Sequence, residues 1–466
     1  MKAIKFSKGN LHRAVAFLLL LCMILPVLCA CDDEETPSTK PSTETDPVTG
    51  GVTLNGVAIE QYEILYAWRN ANQEKDAAKQ IQKTIKTTFG VELKVAEDST
   101  DKASVSYVIM VGDRDQGKVT SKTMEMTDTD YALTHEENTV YILAKTFYGM
   151  QQATDQFCTH LSAASESKTV NIAKGSLQSY EGKIVNTMTF NIRCWSISTE
   201  HLGRIVTTIK NADYPDTIGF QEMGKSGSWI WIEKLMAVPE IAAVYGWVGA
   251  DRGDGTGERA AIFYRKDKFR LVESGTKWMY GANDLGSDVP GRVSTPHTTS
   301  HQDYYRVYSY ALLERISDGV KMAHINTHLD TVSYYENTTV GMQVQIQQLS
   351  YAIAMAKKLR EEHNCTVVFT GDFNTKSTSD SFKSITAAGF KWTEQITKKK
   401  VGMQVDDYYN GESSPMKLCK DIDHIFIMDD NPYCICYTIC DQKIAYKGVE
   451  DYASDHLARY ATYVVD

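Results

Sequence analysis

From Ile184 to the C-terminus, short apolar runs of β character repeatedly break off into clusters of Asp, Glu, Asn and His. Met188-Thr189-Phe190 runs into Asn191, and Ile218-Gly219-Phe220 into Gln221-Glu222. Ala323-His324-Ile325-Asn326 leads to Thr327-His328, and Val367-Val368-Phe369 to Gly371-Asp372-Phe373-Asn374. Asp421-Ile422-Asp423-His424 and Ala453-Ser454-Asp455-His456 complete the series. Strand ends and the loops after them are where a rigid scaffold presents its reactive groups. Repetition of one polar signature along one stretch therefore predicts a sheet-rich domain whose clusters converge on a single composite site.

The residue types narrow the chemistry. Oxygen donors such as Glu222, Asp455 and an asparagine carbonyl suit a hard cation, Mg²⁺ first, with Mn²⁺ or Ca²⁺ as alternatives, and a structural zinc cage would call for a close His/Cys set instead. Two histidines, each with a carboxylate available to fix its tautomer, suit proton transfer near neutral pH. A carboxylate-held cation, acid/base histidines and an amide donor together describe hydrolysis of a phosphate ester, with water delivered in line. The residues alone thus point to a metal-dependent phosphoesterase.

The series FNIR, FQEM, GERAAIFYR, INTHLD, FTGDFNT, DIDHIF and ASDH, in this order, resembles the endonuclease/exonuclease/phosphatase superfamily. Its members include pancreatic-type deoxyribonucleases, abasic-site endonucleases, bacterial sphingomyelinases and inositol polyphosphate 5-phosphatases. The resemblance implies an α/β (α+β) fold, a four-layered sandwich of two mostly antiparallel sheets flanked by helices. It also implies roles position by position. Glu222 would be the principal metal ligand, with Asn191 and Asp455 completing the metal and phosphate shell. Asp372 would orient or deprotonate the attacking water, and Asn374 would hydrogen-bond a phosphoryl oxygen. His328 would act on the leaving-group side with Glu258 as its carboxylate partner, while His456 would pair with Asp423. Arg306 falls where an arginine often meets substrate phosphate, and Tyr308 where many relatives carry tryptophan. Arg193 stands where abasic-site endonucleases commonly carry an acidic residue, which lowers the expectation of a repair activity. His424, His297 and His301 are expected to be packed or loop residues outside the chemistry.

The first part of the chain reads differently. Lys2, Lys5, Lys8 and Arg13 precede an apolar run from Ala14 to Ala30, the layout of an export signal. That run ends Leu28-Cys29-Ala30-Cys31 and is followed by Asp32-Asp33-Glu34-Glu35, which resembles the lipobox of bacterial lipoproteins and implies a lipidated Cys31. Residues 32–52, rich in Ser, Thr, Pro and acids, lack the apolar content to fold and read as a tether. The expected location is the bacterial cell envelope, outside the cytoplasm and anchored to a membrane. Residues 53–178 alternate strand and helix. Ile59–Tyr66 and Val91–Val95 read as strands, a helix spans 72–89, a hairpin joins Tyr131–Leu133 to Thr139–Leu143, and a helix begins near Thr146. This order resembles the small α/β accessory domain that precedes the catalytic barrel of α-glucuronidases and β-hexosaminidases. The catalytic part is expected over 184–466.

Charge and cysteine content set limits. A formal net charge of −10 disfavours a dedicated duplex binder, which needs a basic face. Of ten cysteines, Cys434, Cys436 and Cys440 would share one face of a strand, as buried thiols or with one disulfide to Cys419, in preference to a zinc site. The expected partners are a phosphate-ester substrate and a membrane, with nucleic acid, phospholipid or glycan open and no obligate protein partner. Trp278-Met279-Tyr280 and Tyr304-Tyr305 are candidates for a membrane-inserting hairpin, with core packing as the commoner fate. The alternative to an enzyme is a surface binding or adhesion protein on a degenerate phosphoesterase scaffold.

Overall fold

The computed structural model describes residues 51–67, 71–98, 106–112, 126–175, 177–194, 198–253, 257–280, 284–289, 306–335, 337–402 and 421–466. The signal segment, Cys31, most of the tether, His297, His301, Tyr304, Tyr305 and Cys419 lie outside them. Val52–Asp466 forms one compact unit.

The strands from Ile184 onward build two seven-stranded sheets. The first runs, edge to edge, through Tyr245–Val248, Ile262–Arg265, Thr217–Gln221, Ile184–Asn191, Arg459–Val464, Cys434–Ile439 and Lys399–Val401. The second runs through Ser287–Asp288, Phe269–Trp278, Val307–Arg315, Lys321–His328, Thr366–Asp372, Asp423–Met428 and Lys391–Trp392. Most neighbours are antiparallel, yet each sheet has a parallel pair at its heart: Ile184–Asn191 with Thr217–Gln221, and Lys321–His328 with Thr366–Asp372. Parallel strands end at the same edge of a sheet, so both pairs release their C-terminal residues side by side.

The inner faces meet through Val185, Ile262, Leu313, Val368, Ile425 and Ala461, which form one apolar cluster. Because both faces of the Thr366–Asp372 strand are covered, all seven of its residues are buried and its apolar run does not alternate. Outside the second sheet the Thr338–His363 helix presents Leu349, Ala352, Met355 and Leu359 to Ala323, Ile325 and Phe369. Outside the first, the Thr199–Asn211 helix packs Ile205 and Ile209 with Phe190, Phe220 and Trp231. Helix, sheet, sheet, helix is the four-layered sandwich implied by the motifs.

The earlier residues form a six-stranded sheet ordered Val95–Glu97, Tyr62–Tyr66, Tyr107–Val111, Thr139–Ala144, Asp130–Glu136 and Gln178–Ser179. The helices Ala71–Phe89 and Phe147–Ala163 cover one face of it with Ile81, Ile85, Met150, Ala153 and Phe157. Thr146 caps the second helix by accepting the Gly149 N–H. Tyr148 stacks on Tyr433 with ring centres 5.0 Å apart and is bonded to Asp466, which joins this layer to the sandwich.

Three local readings are corrected. Ile59–Gln61 is a 3₁₀ turn, with the strand starting at Tyr62. The strand expected at Val91 begins only at Val95, where pairing with Ile64 is available. Cys434 and Cys436 do not share a face in a regular register: a bulge lies between them, so the buried side passes from Cys434 to Tyr437 and Ile439. All three cysteines are free thiols. Trp278, Met279 and Tyr280 are buried core residues, so no membrane-inserting tip arises there.

Between the sheets, close to the site, Gly219 faces Thr370 and Asn326. A Cβ at Gly219 would lie 2.1 Å from Thr370 Oγ1 and 2.6 Å from Asn326 Oδ1, two atoms that are hydrogen-bonded to each other. Overpacking this seam forces the sheets apart. Gly219→Ala is expected to cost about 1–3 kcal/mol, read as a lower urea midpoint with an unchanged slope; an unchanged midpoint would show that the seam yields freely.

Candidate active site

Strand register assembles the site. Across the second sheet His328, Asp372 and Asp423 are direct partners on three adjacent strands. Residues in one row point to one face and stand about 4.8 Å apart. Across the first sheet Asn191 is the partner of Gln221, which places Glu222 one residue beyond the same edge. Asp455 and His456 precede the Arg459–Val464 strand, which runs antiparallel to Ile184–Asn191 and so starts at that edge.

Asn191 stitches the two sheets together. Its Nδ2 donates to Glu222 Oε1 at 3.1 Å and to Asp372 Oδ2 at 2.9 Å, while its Oδ1 accepts the Arg193 N–H at 3.0 Å. Glu222 Oε2 accepts the Cys194 N–H at 3.1 Å. Asp372 Oδ1 accepts the Asn374 N–H at 2.9 Å, and its Oδ2 lies 3.6 Å from His328 Nε2 and 3.8 Å from His456 Nδ1. Burial alone would raise the Asp372 pKa, but His328, His456, the Asn374 amide and Asn191 outweigh it and hold it below the usual carboxylate range.

Each histidine has the expected carboxylate. His328 Nδ1 is 3.1 Å from Glu258 Oε1, and His456 Nδ1 is 2.8 Å from Asp423 Oδ2. Glu258 is itself gripped by Arg252 Nη2 at 2.9 Å. Burial pushes the Glu258 pKa up, yet Arg252 first, then His328 and Arg306, bring it down to about 2. Asn374 donates Nδ2 to Leu329 O at 2.9 Å, which leaves its second amide hydrogen for another acceptor. Glu222, Asn374 and Arg193 all take left-handed backbone, with φ of 59°, 47° and 54°. Non-glycine residues in that region carry strain, and here they cluster at the edge where the sheets meet.

Arg306, expected to meet substrate phosphate, lies instead behind Glu258. It is 5% exposed, with Nε 2.8 Å from Asp330 Oδ1 and Nη1 3.8 Å from Glu258 Oε1. Two buried carboxylates compensate its charge, so it supports the His328 partner. Asp330 stands in the INTHLD motif without an assigned role, and the structure makes it a junction. It accepts from Tyr335 Oη at 2.6 Å and Gln348 Nε2 at 2.8 Å as well as from Arg306. Arg252 carries no signal in the sequence beyond its charge, and its contact with Glu258 is a product of folding. His424 is buried against Phe373 and Phe382, with Nε2 3.0 Å from Thr375 O, as a packed histidine should be.

For a cation, two donor sets compete. Asp372, Asp423 and His456 offer one atom each within 4.8 Å, but all three are buried, and the His456–Asp423 pair is already bonded internally. Glu222 is only half-buried, and its oxygens accept the Asn191 amide and the Cys194 N–H among the described residues, which leaves lone pairs for a hydrated ion. Asp455, at 3.8 Å from Arg193 Nε, lies near the same edge. The oxygen donors fit a hard divalent cation, with Glu222 and Asp455 as half-exposed carboxylates.

Residues 188–456, which carry every motif residue from Asn191 to His456, match the Endonuclease/Exonuclease/phosphatase family model. The chain belongs to that family. It is therefore a metal-dependent hydrolase of phosphate esters. Among solved structures, an endonuclease/exonuclease/phosphatase from Bacteroides vulgatus is 24% identical, covering 61% of this chain and 99% of that one with a TM-score of 0.47. A mannosyl-6-phosphatase from Bacteroides thetaiotaomicron is 20% identical over 60% of this chain and 99% of its own, with a TM-score of 0.46. The human Nocturnin catalytic domain with bound sulfate is 14% identical, over 61% and 94%, with a TM-score of 0.43. No curated protein matches the chain.

The Glu258 pKa predicts an acid signature. Its folded value, about 2, lies below the ordinary 4.5, so ionised Glu258 stabilises the fold above pH 4.5 and loses that contribution as pH falls toward 2. Glu258→Gln is expected to lose about 3–5 kcal/mol at neutral pH, the cost of breaking a buried ion pair. Its stability should also be flatter than wild type between pH 4.5 and 2 in chemical denaturation. Parallel curves for the two proteins would contradict the pairing.

Proposed function

We propose that this protein hydrolyses phosphate esters outside the cytoplasm while anchored to a bacterial membrane through Cys31. The observation that carries the chemical reading is the buried Asp372 carboxylate, with His328 Nε2 at 3.6 Å, His456 Nδ1 at 3.8 Å and the Asn191 amide at 2.9 Å. A protected carboxylate among two histidines and a sheet-crossing amide suits directing a water at a phosphorus centre.

Glu222, with Asn191 and Asp455 around it, holds Mg²⁺, or Mn²⁺ or Ca²⁺, in this reading. A divalent cation there supplies neutralisation of the charge on the phosphoryl oxygens. Asp372 orients or deprotonates the attacking water. Asp423 accepts the Nδ1 proton of His456, which makes Nε2 the basic nitrogen. The second amide hydrogen of Asn374 serves a phosphoryl oxygen. His328, its Nδ1 fixed by Glu258, protonates the leaving oxygen from Nε2. Arg252, Arg306 and Asp330 keep Glu258 ionised and in place.

The lipid anchor and acidic chain favour esters met at the cell surface, such as nucleic-acid fragments, lipid head groups or sugar and inositol phosphates. Both the monoester p-nitrophenyl phosphate and the diester bis-p-nitrophenyl phosphate should be assayed with Mg²⁺ and with EDTA, beside DNA, RNA and sphingomyelin. Turnover that EDTA abolishes is expected, and silence across the panel would return the binding-protein reading. Glu222→Ala should abolish turnover, while His328→Ala and His456→Ala should lower kcat by about 10²–10⁴-fold in folded protein. Near-normal rates would remove these residues from their roles. Cys31→Ala should move the protein from the membrane fraction to the soluble fraction; unchanged partitioning would refute the anchor.

A further inference from the structure

A cavity lies away from the phosphoesterase chemistry, where the small α/β layer meets the sandwich. Its volume is about 440 Å³, within the range of small-ligand sites. The Ala71–Phe89 and Phe147–Ala163 helices form one wall, and Lys398 with the Asp430–Tyr433 segment forms the other. Asp430 follows the Asp423–Met428 strand, whose first residue is the His456 partner. The six residues of that strand put the cavity roughly 20 Å from that dyad, at its far end.

The lining has a definite character. Phe147 is 38% exposed, unusual for a phenylalanine, and its ring shares the Lys398 ammonium with Tyr433 at centroid distances of 5.2 and 5.8 Å. Around these rings stand the carboxamides of Gln73, Gln151 and Asn431, each offering both donors and an acceptor. The charges balance: Asp430 is paired with Arg360 at 2.6 Å, and Asp76 offsets Lys398. A phosphate or nucleic acid would find too few cations, and a lipid tail would strand the amides without partners. An exposed aromatic ring beside carboxamides and a carboxylate, without a surplus of cations, matches a ligand with C–H faces and ring hydroxyls.

We propose that this cavity binds a neutral carbohydrate, with a sugar ring packed on the exposed part of Phe147 and its hydroxyls bonded by Gln73, Gln151, Asn431 and Asp76. The cavity tethers the enzyme to glycan while the distant site performs hydrolysis, and it stands independently of the substrate of that site. The test is isothermal titration of the full chain with short gluco-, manno-, galacto- and xylo-oligosaccharides, beside phosphorylated and sulfated sugars as anionic probes. At least one neutral sugar is expected to bind. Phe147→Ala and Gln151→Ala should each weaken it about ten-fold or more, a change of about 1.4 kcal/mol, with circular dichroism and p-nitrophenyl phosphate turnover unchanged. The proposal is overturned if no neutral sugar binds, if only the anionic sugars bind, or if both variants keep wild-type affinity.

Discussion

Asp372 is held as a carboxylate where the two sheets meet, although it is only 2% exposed. An unpaired carboxylate in such a place is costly enough to be neutralised or expelled. It is tolerated because four groups converge on it, the Asn374 N–H, the Asn191 amide, His328 and His456. They come from the two sheets and from loops far apart in sequence. Charging Asp372 therefore requires both sheets to be in register, and the same register makes the site. A slip of one residue in the Thr366–Asp372 strand would turn Asp372 to the opposite face and leave Asn191, His328 and His456 without their common partner.

Behind this contact the charges alternate in sign. His328 meets Glu258, Glu258 meets Arg252 and Arg306, and Arg306 meets Asp330. Removing any member would uncover a buried charge, so the arrangement behaves as a network rather than a set of separable pairs. The Thr338–His363 helix contributes to it from outside the sheet. Gln345, fully buried on that helix, donates to Asp330 O, Phe373 O and Asn374 O, which joins the INTHLD loop to the GDFNT loop. Its Oε1 in turn accepts from Ser381 on the next helix. Helical layers here do more than cover apolar strands; they hold the strand ends at fixed spacing.

Much of this was legible in the chain. Asn191, Glu222, Glu258, His328, Asp372, Asn374, Asp423, Asp455 and His456 all lie at strand ends or in adjoining loops, and both histidine–carboxylate pairs form as expected. Arg306 was legible as a charged residue in a strand motif but not as a buried one, since its burial depends on Asp330 and Glu258 arriving from other elements. Arg252 and Gln345 were silent for the same reason. The apolar Val91 and Leu93 point to an earlier strand start than Val95, but which residues of such a run join a sheet is set by the neighbour that pairs with them. The cysteines near the C-terminus followed the period of two until a bulge shifted the phase.

The amino-acid sequence by itself determined the class of fold and the kind of chemistry. Alternating short strands and polar strand ends are local patterns, and oxygen donors beside histidines limit the reactions available whatever the detailed geometry. Tertiary structure alone decided which charges are buried, which carboxylates remain open to a cation, and that Arg306 braces Glu258. Those outcomes depend on desolvation and on distances between residues far apart in the chain, and neither quantity exists until the two sheets close on each other.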